Sequence, residues 1–457
     1  MEPSPNILDQ LNDFYWEYIG VWLLMGVGFY FTLKTRFFQF QVIRNLPSAI
    51  RSLALRPSDG NVGILPIKTL FSSVGSMVGV GNIVAITAAL QIGGPGALFW
   101  LWIASLLGTI LKYTEAYIGI RYRRSVGPQG YEGSLMYAFP SAFQNKYWPP
   151  LGKWLALLCA LLLCIYGIEV YQFTVVVDTF VRCLAVENRD GVTFSLLALI
   201  IYVGMGGTKR LSNVCTVVMP VMILLYVGVC LWILLSHFSQ LPHLLWLILR
   251  SAFCGHAPLG GFIGSTLLMA IQQGVAQGVY SSDIAVGFDS VLHSESRATD
   301  PRRQACVAII ASLTDTVMCT CSFVVVLLSD LWQEGTALSA SDCILKAFEA
   351  HFKWGPHFLS IIIFLAGLTT IQAYFVVGLK SASYLNPKWG KSVYFVVGIL
   401  NLWIFSHCQQ SHVLTLMRLA SGLLILVNLI CLFRLRNQVY YDLDGVFKKM
   451  EEGPDRT

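Results

Sequence analysis

The sequence predicts an all-α integral membrane protein with about eleven transmembrane helices, and three observations support this fold class. Of the 457 residues, 55% are hydrophobic and only 12% are charged, whereas soluble domains carry about 25% charged residues. The hydrophobic residues gather in long runs, and about 20 apolar residues form a helix that spans a bilayer. Basic residues concentrate in alternate segments between these runs.

The apolar runs are taken in chain order as the spans of the protein. The seventh run is longer than one straight helix needs, which predicts a break and a short extension within it. The eleven runs cover residues 18–33, 64–91, 95–120, 151–180, 192–205, 211–236, 256–290, 302–330, 356–378, 391–406 and 413–434.

The polar segments between the runs predict the orientation in the cell membrane (inner or plasma membrane). Each odd-numbered run is followed by a basic segment, such as residues 121–124. The other segments are neutral, as at 91–95, or of mixed charge, as at 330–353. Lysine and arginine are enriched in cytoplasmic segments, so we expect the N-terminus outside and the C-terminus in the cytoplasm. Residues 1–15 contain acids but no basic residue, so we expect no cleavable signal peptide.

The composition excludes several classes of function. The net charge of +6 comes from basic residues between the runs, so it does not indicate nucleic-acid binding. The twelve cysteines are scattered, and no CxxC pair or histidine-rich box frames a metal site. Neither HExxH nor GxSxG occurs, so we expect no enzyme. Nothing resembles the symmetric filter of a channel, which leaves the transport of a small solute; the sequence does not indicate an oligomeric state.

Two runs differ from the rest because small and polar residues interrupt them. The second contains Gly75-Ser-Met-Val-Gly79-Val-Gly81-Asn82, and the seventh contains Gly274-Val-Ala-Gln-Gly278-Val-Tyr-Ser281-Ser282-Asp283. Either could be a packing face of small residues. However, the two lie five spans apart, which predicts a five-plus-five inverted repeat whose first helix is broken in each half.

This repeat divides the chain into four parts. Residues 1–60 form an N-terminal segment with an accessory helix, and residues 61–240 form the first five-helix repeat. Residues 250–436 form the second, inverted repeat, and residues 437–457 form a cytoplasmic tail.

A broken helix in a membrane exposes backbone N–H groups on one half and C=O groups on the other, which only a cavity or a ligand can satisfy. The N–H end attracts a carboxylate and the C=O end attracts a cation. We expect Gly79, Val80 and Gly81 to offer N–H groups to the carboxylate of an amino acid. Asn82 and the stretch 280–283 would face a cation or the substrate amine.

The ninth run offers oxygen atoms on one helix face. Ala366 lies three and four residues before Thr369 and Thr370, so all three share that face. One carbonyl and two hydroxyls are hard donors suited to an alkali cation. Alternatively, each threonine bonds the backbone of its own helix.

Charged residues inside membrane spans are candidates for function. Glu169 lies in the middle of the fourth run, near Gln172. It is either a hydrogen-bonded structural acid or a site for a proton or a substrate amine. Lys112 and Glu115 lie three residues apart near the inner end of the third run, where we expect a structural pair with the lysine reaching towards the surface. Asp178 and Asp315 are further candidates.

At these positions the sequence resembles the alanine or glycine:cation symporter family. The resemblance is collinear over residues 20–435 and is carried by Gly79-Val-Gly81-Asn82-Ile83, by Gly93-Gly94-Pro95-Gly96-Ala97-Leu98-Phe99-Trp100, by Lys112-Tyr-Thr-Glu115, by Gly274-Val-Ala-Gln-Gly278, by Asp315-Thr316 and by Thr369-Thr370. The family is similar in fold to LeuT-like sodium symporters. The resemblance implies cotransport of alanine, glycine or a related small amino acid with sodium.

The same resemblance implies two sets of binding residues. The sodium ligands would be the carbonyls of Gly75, Val78 and Ala366 and the hydroxyls of Thr369 and Thr370. The residues predicted to line the substrate site are Gly79, Val80, Gly81, Asn82, Glu169, Gln172, Gln277, Gly278, Ser281, Ser282 and Asp283.

The binding region departs from the family pattern while the scaffold does not. The departures are Val80 for threonine, Glu169 for a neutral residue, Thr174 for asparagine, Gln277 for arginine, Ser282 for asparagine, Asp283 for glutamate and Ala285 for glycine. These changes leave open a proton-coupled carrier of a different small amino acid or related solute. They also leave open a sensor that does not transport.

Overall fold

The computed structural model describes residues 7–54, 62–127, 130–144, 149–183, 188–254, 266–333, 338–443 and 446. Within these ranges the helices are connected by turns and irregular segments, and one two-stranded hairpin pairs β1 Arg124–Ser125 with β2 Tyr131–Glu132. The helices are α1 Ile7–Tyr15, α2 Val21–Lys34, α3 Phe38–Arg44, α4 Leu46–Ala54, α5 Pro66–Met77, α6 Ala85–Gly93, α7 Ala97–Arg121, α8 Leu135–Ala142, α9 Pro149–Tyr166, α10 Val170–Cys183, α11 Arg189–Gly204, α12 Gly207–Ser236, α13 Leu241–Cys254, α14 Leu267–Ser282, α15 Phe288–Ser294, α16 Pro301–Leu328, α17 Ala340–His351, α18 Gly355–Leu385, α19 Gly390–Phe405 and α20 Gln410–Leu435.

The long helices fall on the predicted runs. Among the described residues, seven helical stretches are long and apolar enough to cross a membrane, or eight if the bent pair α5 and α6 forms one span. This confirms a multi-pass helical membrane protein, while the count of eleven stays a prediction. The first part of the seventh run, up to residue 265, lies outside the described residues. Helices α13 and α17 were not predicted from the sequence.

The second predicted run is broken where the glycines stand. Helix α5 ends at Met77, a 3-10 turn covers Val80–Asn82, and α6 begins at Ala85. The two halves are bent by 55°. The prediction of a broken helix at this point is therefore confirmed.

The seventh run is also broken, at the end of the interrupted stretch that the sequence singled out. Helix α14 continues through Gly274 and Gly278 to Ser282, and α15 starts at Phe288. Asp283 (φ 49°) and Ala285 (φ 58°) adopt the left-handed conformation, which a residue with a side chain rarely adopts and which ends the helix. The break lies at 283–287, at the C-terminal end of the stretch from Gly274 to Asp283 that the sequence singled out.

A third break, which the sequence did not reveal, divides the fourth run. Helix α9 ends at Tyr166 and α10 begins at Val170, so Glu169 lies in the gap rather than within a continuous helix. A Cβ atom on Gly167 would lie 2.8 Å from the Tyr394 hydroxyl and 2.9 Å from the Gly378 Cα. Only glycine therefore allows α18 to approach the gap this closely.

On the predicted cytoplasmic side, the start of α5 is tied to the segment that follows α15. The Ile64 N–H donates to the Glu295 carbonyl, and the Arg297 N–H donates to the Ile64 carbonyl, both at 2.8 Å. The guanidinium of Arg123 donates to the Ser296 carbonyl at 2.6 Å. These bonds join the residue before α5 and the end of α7 to the segment 295–297.

On the opposite side, an ion pair between Arg182 of α10 and Asp342 of α17 joins two elements. Partial burial raises the pKa of Asp342, but hydrogen bonds from Ser339 and Arg182 lower it by more, so its pKa lies below the ordinary value. The pair therefore persists at neutral pH and weakens as the pH falls through that pKa.

Candidate functional site

The break between α5 and α6 presents backbone N–H groups to side-chain amides. The Val80 N–H donates to Gln172 Oε1 at 2.8 Å, and the Gly79 N–H donates to Asn82 Oδ1 at 2.9 Å. All four residues are buried. Amide oxygens thus occupy the place where the sequence predicted a carboxylate. Because Gln172 comes from α10, its hydrogen bond to Val80 joins α10 to the break.

Asp315 of α16 joins the two broken runs. Its carboxylate accepts a hydrogen bond from Asn82 Nδ2 at 2.5 Å and one from the Ser281 hydroxyl at 3.2 Å. The Ser282 hydroxyl donates to the same carboxylate. Asn82 was expected to face a cation or an amine, but here it donates to an acid. Asp315, only a minor candidate from sequence, thus lies between both breaks.

Glu169 and Asp283 are held by tyrosines rather than by cations. The Tyr280 hydroxyl donates to Glu169 Oε1 at 2.7 Å. Asp283 Oδ1 accepts from Tyr166 at 2.7 Å and from Tyr374 at 2.6 Å. The second oxygen of each carboxylate, Glu169 Oε2 and Asp283 Oδ2, has no hydrogen-bond partner among the described residues. Two such buried oxygens can accept a proton or a cation.

Lys112 pairs differently from the sequence prediction. Its Nζ lies 2.7 Å from Asp289 Oδ2 of α15 and donates to the Ser282 carbonyl at 2.6 Å. Glu115 accepts instead from the Ser290 N–H at 3.2 Å. The lysine is fully buried and does not reach the surface. The expected pair of Lys112 with Glu115 is therefore wrong, because the segment after the seventh-run break offers the lysine a closer carboxylate.

The positive charge that Gln277 lacks is supplied by another helix. Arg418 of α20 donates to Gln277 Oε1 and to Gln273 Oε1, each at 2.9 Å. Gln277 Nε2 in turn donates to the Gly81 carbonyl at 3.0 Å. The Arg418 guanidinium therefore lies beside Gln277, the residue that stands where the family pattern has an arginine.

The five predicted cation ligands occupy the junction of α5 and α18. The Thr370 hydroxyl donates to the Gly75 carbonyl at 3.0 Å and lies 3.5 Å from the Val78 carbonyl. The Thr369 hydroxyl bonds its own helix, at 2.9 Å from the Ala366 carbonyl. The Thr370 hydroxyl therefore reaches across to the broken helix. The Thr369 hydroxyl bonds the backbone of its own helix, which was the alternative prediction for both threonines.

Gly278 belongs to packing rather than to the break. A Cβ atom there would lie 3.3 Å from Ala104 Cβ, and one on Gly274 would lie 2.8 Å from Trp100 Cβ, both in α7. Within the described ranges, no group of three or more histidine, cysteine, aspartate or glutamate side chains could hold a metal ion. The oxygens at the α5–α18 junction suit a weakly bound alkali cation instead.

Comparison with known proteins also indicates a membrane transporter. The sodium:alanine symporter family matches residues 1–457. An uncharacterized transporter of Haemophilus influenzae is 29% identical over 459 residues, covering 98% of this chain and 97% of the relative. The probable sodium/glutamine symporter GlnT of Bacillus subtilis is 28% identical over 460 residues, covering 98% and 92%.

A solved structure has a similar fold. The structure of MhsT in complex with L-phenylalanine aligns with a TM-score of 0.57 at 15% identity, covering 81% of this chain and 89% of that one. At this identity the likeness concerns the fold alone, which is that of LeuT-like transporters.

Proposed function

We propose, from the premise that this chain belongs to the sodium:alanine symporter family, that it carries a small amino acid across the membrane together with a cation by alternating access. The family is one of transporters, so the expectation that the chain is not an enzyme is confirmed. The observation that carries the proposal is the broken helix, whose Val80 N–H donates to a side-chain oxygen, Gln172 Oε1, at 2.8 Å.

The substrate carboxylate takes the place of the Gln172 amide oxygen. A carboxylate forms a stronger hydrogen bond with a backbone N–H than a neutral amide does, so it can displace Gln172 from Val80. Gln172 Oε1 fills the space that a side chain at Gly79 would take, so a carboxylate would enter there as the amide leaves. The substrate we propose is alanine, glycine or a similarly small neutral amino acid.

The coupling cation is sodium, bound at the junction of α5 and α18. The carbonyls of Gly75, Val78 and Ala366 would coordinate it together with the hydroxyls of Thr369 and Thr370. Sodium binding would turn the Thr370 hydroxyl from a donor into a ligand. The ion would then join α5 to α18 more firmly than the present hydrogen bonds, at 3.0 and 3.5 Å, do.

A second candidate, coupling to protons, is favoured by Glu169 and Asp283. Each carboxylate has one buried oxygen without a partner among the described residues. Glu169 also stands in the gap between α9 and α10, next to the residue that bonds Val80. A proton on either acid would remove a buried charge, so the cycle could carry a proton in place of the sodium ion.

We also propose the eleven-span topology, with the N-terminus outside and two five-helix repeats of opposite orientation. The breaks in α5–α6 and α14–α15, which lie five predicted spans apart, support this proposal. The bonds between Ile64 and 295–297 would then form the closed inner gate. Opening them while the outer side closes would expose the site to the cytoplasm.

Counterflow in proteoliposomes tests this function. Purified protein is reconstituted with one unlabelled amino acid inside, and entry of the labelled amino acid is followed with sodium or with potassium on both sides. We expect counterflow of alanine or glycine only in sodium. Absence of counterflow for every amino acid, in sodium and at acidic pH, would indicate a non-transporting sensor.

A further inference from the structure

The carbonyl end of helix α14 faces a buried ammonium group. Lys112 of α7 donates from Nζ to the Ser282 carbonyl at 2.6 Å and to the Asp283 carbonyl at 3.4 Å. Its Nζ also lies 2.7 Å from Asp289 Oδ2, at the start of α15. All four residues are fully buried. The oxygens that a break in a membrane helix would offer to a diffusible cation thus surround a cation of the chain itself.

An ion pair with Asp289 does not by itself account for the place of this ammonium group. Helix α14 ends at Ser282, and the last carbonyls of a helix have no partner within it. In a membrane span such carbonyls need a partner from elsewhere in the chain or from a ligand. The Ser282 carbonyl accepts from Lys112 at 2.6 Å, which is as close as the carboxylate at 2.7 Å. The lysine therefore serves the helix end as well as the acid.

Two chains of hydrogen bonds connect the ammonium group to the first broken helix. The Ser282 hydroxyl donates to the carboxylate of Asp315, which also accepts from Asn82 at 2.5 Å. On the other side, Asp289 Oδ1 accepts from the Ser73 hydroxyl of α5 at 3.0 Å. A change at the second break is therefore transmitted to both sides of the first, which is where we place the amino acid.

We propose that the Lys112 ammonium is the resident cation of the second break, where it takes the place of a soluble ion at the carbonyl end of α14 and positions the first break for the amino acid. The inference rests on the proposed function, because the ligand that it serves is the transported amino acid. Lys112 does not touch that ligand and is therefore a positioning residue. The second break needs no soluble ion of its own.

Chemical rescue tests this role. Lys112→Ala removes the side chain beyond Cβ, and propylammonium has the size and the charge of the missing group. The Kd for alanine is measured by isothermal titration of the purified full-length variant in sodium, with and without propylammonium. We expect the Kd to rise at least about tenfold and propylammonium to restore it, since charge-assisted hydrogen bonds are lost and regained. Propanol, which has the same size but no charge, should not restore it.

Two further variants separate a resident cation from an ordinary ion pair. Lys112→Met fills the same space without a charge, so its Kd should rise similarly and should not respond to propylammonium. The double variant Lys112→Ala/Asp289→Asn leaves no unpaired buried acid and should fold. Its affinity for alanine should nevertheless stay low, because the carbonyls of Ser282 and Asp283 still lack their cation.

A wild-type Kd in folded Lys112→Met, or in the double variant, would overturn the proposal and leave Lys112 and Asp289 a structural pair. A Lys112→Ala variant whose Kd ignores propylammonium would overturn it as well, and if that variant fails to fold, the double variant gives the answer. A failure of the proposed function would differ, because the wild-type protein would then bind no amino acid. Propylammonium should even then raise the thermal unfolding temperature of Lys112→Ala but not of Lys112→Met, and equal effects on both would overturn the proposal.

Discussion

A valine in place of Gly79 tests whether the helix break is where the carboxylate binds. The backbone at Gly79, with φ −131° and ψ −160°, is extended and open to any residue, so the substitution adds bulk without backbone strain. The new Cβ would overlap Gln172 Oε1 and would lie 2.6 Å from the Thr370 hydroxyl. The added side chain would thus fill the space in which the carboxylate should meet the Val80 N–H.

The magnitude follows from the bond that is lost. A hydrogen bond to a charged group contributes about 2 kcal/mol, so the Kd for alanine should rise about thirtyfold or more. Displacing the Thr370 hydroxyl costs about 1 kcal/mol, which weakens sodium binding about fivefold. Isothermal titration of the purified variant with alanine in sodium measures the first change.

Gly228→Val is the matched control. Nothing lies within 4 Å of a Cβ atom at Gly228 in α12, so this variant should keep the wild-type Kd. If Gly79→Val elutes as a single folded species and binds alanine with the wild-type Kd, the reasoning is refuted and the glycine serves packing alone.

Three other predictions concern topology, the cation and the buried acid. An impermeant thiol reagent should label a cysteine at Ser4 from outside and one at Ser125 only after permeabilisation; the reverse pattern rules out the eleven-span orientation. Thr369→Ala/Thr370→Ala should raise the sodium concentration for half-maximal uptake at least about tenfold, a loss of about 1.4 kcal/mol, and an unchanged sodium dependence in folded protein would assign both threonines to helix bonds. Glu169→Gln should weaken substrate binding at every pH if the acid pairs with the amine. If the acid carries a proton, exchange should survive while accumulation driven by a pH gradient fails. Unaltered affinity, pH dependence and accumulation would leave it a structural acid.

The sequence predicted a multi-pass helical membrane protein because the signal of a membrane helix is local. A long apolar run must form a helix in lipid, where backbone groups have no other partner. The glycines before Asn82 marked the first break, since small residues weaken a helix at that depth. The break at 167–169 gave no comparable signal: a single glycine stands there, and the reason for it is the approach of α18 from more than 200 residues away.

The polar partners of the site could not be predicted from spacing along the chain. Lys112 pairs with Asp289, and Arg418 bonds Gln277, through contacts between helices that are distant in sequence. The expected pair of Lys112 and Glu115 followed from helical periodicity alone. That rule fails where another helix brings a carboxylate closer. The family resemblance, rather than spacing, predicted that the Gly75 carbonyl oxygen and the Thr370 hydroxyl lie at one site. The structure places these two oxygens 3.0 Å apart.

Accumulation driven by a sodium gradient tests the central claim most directly, because it requires the amino acid and the cation to cross together. Proteoliposomes loaded with potassium are diluted into sodium, and labelled alanine inside is compared with the outside concentration over time. The account predicts a transient concentration inside above that outside, which disappears when an ionophore collapses the sodium gradient and is absent in Gly79→Val. Uptake that only reaches equilibrium, whatever the sodium gradient, would contradict it.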